Sequence, residues 1–277
     1  MYQIISGKEV ASHIKQQIKE EIVNNKLEVT LAVILVGNDP ASQVYVNNKQ
    51  KACEEVGIRS LTYKLSNDAS EQELMDVIDT LNEVNDVNGI LVQLPLPSHI
   101  DENKIIHQIS PNKDVDGFSA VNVGKLWQGD YDFASCTPSG VIELLDYYNI
   151  DIRGKHCVIV GRSNIVGKPM AALMLERDAT VTICHSKTHN ISDITSQADI
   201  LIAAVGKSKF ITSDMVKNDA IVVDVGINRD ENGKLCGDVD FENVKDKVSY
   251  ITPVPGGCGP MTIAMLLKNT LIASKKY

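Results

Sequence analysis

The stretch "KHCVIVGRSNIVGKPMAALML", residues 155–175, passes from a short apolar segment through Gly161 into a second segment whose apolar residues recur at helical spacing. It reads as strand, glycine turn and helix, an arrangement that aims backbone N–H groups and a helix N-terminus at a pyrophosphate. Against G-x-G-x-x-G, Gly161 fits the first position, Ser163 and Val166 stand where glycines are expected, and Gly167 comes one residue late. A plain tight turn has the same local pattern, so the turn alone leaves both readings open. The next strand narrows them. Folds that bind NAD place an acidic residue about 20 positions on, against the ribose 2′-hydroxyl, whereas "TVTICHSKT" ends here in His185, Ser186, Lys187 and Thr188. Hydroxyls and a cation accept a 2′-phosphate that a carboxylate repels, and Arg162 in the turn offers a bidentate partner for it. The pattern favours NADP over NAD; the alternative leaves Arg162 and Lys187 as solvated surface charges.

Outward from this stretch the same alternation continues. "HCVIVG", "TVTICH", "ILIAAVG", "AIVVDVG" and "VSYIT" read as strands, with helices at "KPMAALMLERD" and "ISDITSQAD". Upstream, "GKEVASHIKQQIKEEI" carries Val10, Ile14, Ile18 and Ile22 on one helical face, and "TLAVILVG" follows as a buried strand. A helix opened by Pro40 and closed by Gly57, a strand "IRSLTYKL", a helix with a capping box from Ser70 to Glu73, and a strand "GILVQL" complete the series. Residues 111–140, rich in Gly, Asp, Asn and Ser, break the periodicity; "TPSGVIELLDYY" then resumes as a helix with Thr137 as N-cap and Pro138 at its first position. The pattern predicts an α/β protein of two α/β domains. The first spans 1–136, with the C-terminal helix 263–277 returning to it; the second, 137–262, is a Rossmann-like doubly wound parallel sheet.

Composition excludes other classes. The 277 residues are 43% hydrophobic, enough for real cores, and carry a net charge of −9, which argues against nucleic acid as a partner. The six cysteines are scattered, with no C-x-x-C pair or cluster with histidine, so free thiols and no metal site are expected. The N-terminus lacks a secretory pattern and no apolar run reaches the roughly 20 residues that span a bilayer, so the expectation is a cytoplasmic protein with no membrane partner.

Polar groups with chemical potential lie in the first half. In "YVNNK", Tyr45 and Lys49 are four residues apart on a helix and share a face. Short-chain dehydrogenases use the same spacing, but after their dinucleotide turn and within one domain; here the pair lies far upstream of Gly161, in another α/β unit. In "VQLPLP", Gln93 ends an apolar strand, where ligands collect in open α/β sheets, although a satisfied core amide fits equally well. In "KDVDGF", Asp114 and Asp116 precede a glycine, a pattern that by itself is most often a turn.

Taken together, YVNNK, VQLPLP, KDVDGF, GRSNIVGKP and TPVPGGCGPMT occur in this order from about Ser6 to about Ala273. In this the chain closely resembles the bifunctional methylenetetrahydrofolate dehydrogenase/methenyltetrahydrofolate cyclohydrolase family. It departs from the family at Cys258, where valine is usual. The resemblance implies NADP-dependent oxidation of a methylenetetrahydrofolate, followed by hydrolysis to 10-formyltetrahydrofolate. Lys49 would be the acid/base, since desolvation disfavours a lysine's charged form. Gln93 would orient it, Tyr45 would pack on the folate, and Asp116 would accept from the pterin's amino-pyrimidine edge. The tetrahydrofolate derivative would be lined by Tyr45, Val46, Asn47, Asn48 and Lys49, by Val92, Gln93 and Leu94, by Asp116, and by Pro253, Val254, Pro255, Gly256 and Gly257. NADP would meet Gly161, Arg162, Ser163, Val166, Gly167, Ser186 and Ile227. A homodimer through the nucleotide-binding domain is implied as well. A monofunctional dehydrogenase and a catalytically silent NADP-binding module are the alternatives.

Overall fold

A computed structural model describes residues 2–276. In chain order its strands are β1 (Gln3–Ile4), β2 (Thr30–Val36), β3 (Arg59–Leu65), β4 (Gly89–Val92), β5 (His156–Val160), β6 (Thr180–Cys184), β7 (Ile200–Ala203), β8 (Ile221–Asp224), β9 (Asn228–Arg229), β10 (Leu235–Cys236) and β11 (Tyr250–Ile251). The chain divides into two compact units, one made of Met1–Ala11 and Thr137–Thr262, the other of Ser12–Cys136 and Ile263–Tyr277. The first eleven residues therefore leave the 1–136 segment: β1 pairs in parallel with β11. Two residues are too few to show periodicity, which is why the sequence does not reveal this pairing.

The unit containing Ser12–Cys136 holds a parallel sheet in the order β3-β2-β4. Every residue of β2 and β4 is buried, as expected for apolar runs covered on both faces. Edge strand β3 is only half-buried and carries Arg59, Ser60, Thr62 and Lys64. Helix Pro40–Val56 follows β2; the Asp39 carboxylate accepts from Ser42 N at 2.7 Å, and Gly57 ends the helix at φ 89°. Helix Glu71–Glu83 begins with the Ser70–Glu73 capping box and buries Leu74, Ile78 and Leu81 against the sheet's core.

The other unit holds a six-stranded parallel sheet, β1-β11-β8-β7-β5-β6. From β5 the chain goes to β6 on one side and then to β7 on the other, so the order reverses between β5 and β7. Crevices outside the carboxyl ends of strands at such a reversal are where α/β sheets bind ligands. A short antiparallel hairpin, β9–β10, stands apart from this sheet.

Other boundaries differ from the periodicity. Residues 111–140 contain a helix, Ala120–Gln128, capped by Ser119, whose side chain accepts from Asn122 N. Helix Cys136–Tyr147 starts one residue before Thr137, so Thr137 lies inside its first turn and its hydroxyl pairs with that of Thr262 at 2.8 Å. The "GILVQL" strand ends at Val92, leaving Gln93 and Leu94 beyond it.

Candidate active site

In the unit built on β2, the reversal of strand order lies between β2 and β4, and the polar groups gather at their carboxyl ends. Gln93 stays tied to β2 through its N–H to Ile34 O at 2.9 Å. Its side-chain amide donates to Leu94 O at 2.6 Å, which fixes the amide's orientation and turns Oε1 toward Lys49. Lys49 Nζ, half-buried on helix Pro40–Val56, donates to that oxygen at 3.0 Å. A neutral acceptor thus positions the amine without imposing a fixed countercharge. Tyr45, one turn earlier, is 42% exposed, a ring open to a ligand.

The two aspartates of the following loop differ. Asp114 is buried and saturated: it accepts from Gly117 N, Phe118 N and Ser119 N at 3.1, 3.2 and 2.7 Å, and from Asn122 Nδ2 at 2.9 Å. Asp116 is half-buried, and Oδ1 accepts only a long contact from the Cys136 thiol at 3.7 Å. The Asp116 carboxyl is pushed up to about 6: desolvation raises it most, Lys49 offsets part of that rise, and Asp114 adds to it. Lys49, Gln93 and Asp116 therefore form one electrostatic group, with Asp116 the carboxylate free to take a ligand's N–H donors.

Val46 and Val92 are buried; Asn47 and Asn48 are exposed and Leu94 packs on the core's margin. Cys136 and Asn269 are the residues here that sequence reasoning misses. Asn269 Nδ2 donates to Val115 O at 2.8 Å and Ala134 O at 3.2 Å, holding the backbone on both sides of Asp116's neighbourhood. Neither lies in a motif with recognisable chemistry, and their role depends on partners far away in the chain.

In the other unit, Gly161 at φ 136° closes β5, and a Cβ there would lie 2.2 Å from Ala204 O. A Cβ on Gly167 would meet Gly161 O at 2.3 Å, so the late glycine is the one that lets helix Gly167–Glu176 approach the turn. The Ser163 hydroxyl accepts from Val166 N at 3.1 Å and Gly167 N at 3.4 Å, keeping its own hydrogen to donate. Gly161 N donates to Cys184 O at 2.9 Å, which sets this turn beside residues 185–188. Those close on themselves through His185 N to Thr188 Oγ1 at 2.9 Å, leaving the side chains of Ser186 and Lys187 exposed, as is Arg162. Hydroxyls and cations on two adjoining turns, beside a cradle that any Cβ would fill, fit a phosphorylated dinucleotide.

Ile227, after β8, is 50% exposed. Residues 253–257 fold tightly: a Cβ on Gly257 would meet Pro253 O at 2.6 Å, and Gly256, at φ 108°, accepts from Lys8 N at 3.2 Å.

Comparison with known proteins agrees over both units. The family model of the tetrahydrofolate dehydrogenase/cyclohydrolase catalytic domain matches residues 5–116, and that of the same family's NAD(P)-binding domain matches residues 135–277. A bifunctional protein FolD of Lachnoclostridium phytofermentans is 58% identical over 280 residues, covering 100% of this chain and 99% of its own. Among solved structures, the bifunctional FolD methylenetetrahydrofolate dehydrogenase/cyclohydrolase of Campylobacter jejuni is 53% identical with a TM-score of 0.97, covering 99% of both chains. The Trypanosoma brucei methylenetetrahydrofolate dehydrogenase-cyclohydrolase, solved with NADP and an inhibitor, is 38% identical with a TM-score of 0.94, covering 99% of this chain and 98% of that one. With both domains matched and more than half of all positions identical to a full-length relative, the chain belongs to the tetrahydrofolate dehydrogenase/cyclohydrolase family.

Proposed function

We propose that the protein oxidises 5,10-methylenetetrahydrofolate to 5,10-methenyltetrahydrofolate with NADP and then hydrolyses that product to 10-formyltetrahydrofolate. The observation that carries this reading is the oriented pair of Lys49 and Gln93, 3.0 Å apart, with the under-occupied carboxylate of Asp116 in the same electrostatic group. Bound NADP would supply the hydride acceptor for the carbon between N5 and N10 of the folate. Gly161, Arg162, Ser163, Val166, Gly167, Ser186 and Ile227 would hold it. The chain's own part in the oxidation is alignment: Asp116 takes the pterin's N–H donors and Tyr45 supplies a ring to pack against.

The second step needs a proton carrier. Lys49 Nζ takes the proton released as water adds to the methenyl carbon, then delivers one to N5 as the carbon–nitrogen bond breaks. Gln93 keeps that nitrogen aimed while its protonation state changes. The homodimer implied by the resemblance belongs to the same reading. So does a cytoplasmic location: all six cysteines are free thiols, and among the described residues no helix is long and apolar enough to cross a membrane.

Lys49→Met tests the assignment. Hydration of added methenyltetrahydrofolate, followed spectrophotometrically, is expected to fall by at least about 10²-fold, the usual scale for a positioned acid/base, while NADP affinity stays unchanged. An equal loss of NADP affinity would make Lys49 a structural residue and overturn the reading.

A further inference from the structure

Two buried carboxylates in the nucleotide-binding unit have no part in the chemistry above. Asp238, just after β10, has no exposed surface, yet four donors converge on it. Its Oδ2 accepts from Val205 N at 2.6 Å and Gly206 N at 3.0 Å; its Oδ1 accepts from Lys207 N and Asn228 Nδ2, each at 2.9 Å. Asp224, at the end of β8, holds the next layer. Its Oδ1 accepts from Gly226 N and Asp238 N, each at 2.9 Å, and its Oδ2 from Val239 N at 2.8 Å, while its own N–H donates to Thr252 Oγ1 at 2.7 Å.

The two segments interlock. A Cβ on Gly226 would stand 2.3 Å from the Asp238 carboxylate, and one on Gly237 would stand 1.9 Å from Asp224 Oδ2. Each acid thus occupies the space that a glycine of the other's segment leaves open. What they brace is specific: residues 205–207 follow β7, residues 226–228 follow β8, and Ala204 is the residue against which Gly161 packs. These are the loops at the carboxyl edge of the sheet, on the β7–β8 side of its reversal of strand order. Holding two acids together out of water is costly: burial, reinforced by the charge of Asp238, pushes the Asp224 carboxyl up to about 7. A loop that needed only closure could use neutral side chains.

We infer that Asp238, braced by Asp224, is a positioning residue for NADP: it fixes the backbone amides of 205–207 and anchors the Asn228 side chain, while Asp224 holds Gly226 N, in the shape the nucleotide meets. The inference rests on the nucleotide lying at the Gly161 turn, as proposed above.

Three variants separate the possibilities. Asp238→Asn puts an NH₂ donor where N–H donors converge; Asn228→Ala removes one of the four bonds from a half-buried surface position; Arg162→Ala probes the nucleotide's location. Asp238→Asn is expected to raise the NADP dissociation constant and KM about tenfold or more, with kcat and nucleotide-free hydration of methenyltetrahydrofolate little changed. Asn228→Ala is expected to do the same by about threefold, with the melting temperature of the apoprotein retained. If Asp238→Asn does not fold, Asn228→Ala decides. NADP affinity unaltered in Arg162→Ala would show that the nucleotide lies elsewhere. Weakened binding in Arg162→Ala, with Asn228→Ala and any folded Asp238→Asn keeping the wild-type KM for NADP, would overturn the inference itself. So would an equal fall of both activities with lowered stability.

Discussion

Asp114 and Asp116 stand two residues apart in one loop, and their hydrogen bonds divide the work. Asp114 spends its oxygens on the amides of Gly117, Phe118 and Ser119 and on Asn122, so it shapes the loop. Asp116, whose carboxylate accepts, among the described residues, only the long contact from the Cys136 thiol, is left for a ligand, and burial has brought its carboxyl up to about 6. A folate that donates to this group binds its ionised form. As pH falls through about 6 the carboxyl takes up a proton and loses its acceptor character, so the KM for methylenetetrahydrofolate is expected to rise on the acid side. Asp116→Asn should have a high KM at every pH and no such inflection; a wild-type KM flat from pH 5 to about 8 would remove Asp116 from the binding group. The sequence offers both aspartates equally, because nothing local says which oxygen will be covered by amides once the loop closes. Lys49 and Gln93 were legible for the opposite reason: one sits at i+4 on a helix and the other at a strand's end, positions that fix direction before tertiary structure does.

At the scale of elements, what was legible carried its own signal. The fully apolar β2 and β4, the Ser70–Glu73 box and the Gly57 cap all announce themselves in a few residues. Helix Ala120–Gln128 did not, because Gly124 interrupts it and its buried face includes Asn122. The strand–turn–helix at Gly161 was legible as a class but not in detail. The sequence shows Gly167 as a glycine out of place, and only the structure shows that it admits the helix to the turn. Gly167→Ala would force a methyl group to within 2.3 Å of the Gly161 carbonyl oxygen, against backbone of Gly161 and Arg162 rather than a flexible side chain that could yield. The helix must then shift off the turn. NADP affinity is expected to fall about tenfold or more, with a stability loss of about 1–3 kcal/mol, the range for overpacked sites. Calorimetric titration and thermal melts read the two effects separately, and undiminished NADP affinity would contradict the role given to this glycine.

For the molecule as a whole, neither compact unit is a continuous piece of chain. Each includes residues that lie, along the sequence, beyond the other: 1–11 group with 137–262, and 263–277 with 12–136. Periodicity cannot show this, since it reports what a segment is and not where it docks. The consequence for stability is direct. Residues 263–276 bring buried Leu266, Leu267 and Leu271, and Asn269 clamps the carbonyls of Val115 and Ala134. Burying side chains of that size contributes about 1.5–3 kcal/mol each, so three of them approach the 5–15 kcal/mol that holds a typical domain together. A chain ending at Thr262 is expected to lose protection from hydrogen exchange across β2 and β4 while the six-stranded sheet keeps its own. Protection retained throughout would mean that the last helix is dispensable.

The same interleaving sets an order in time. During synthesis the ribosome releases residues 12–136 long before residues 263–276, so the Lys49 site waits, unfinished, until that helix has been made. Until then the surroundings of Asp116 lack the clamp that Asn269 provides, however well the six-stranded sheet has already formed.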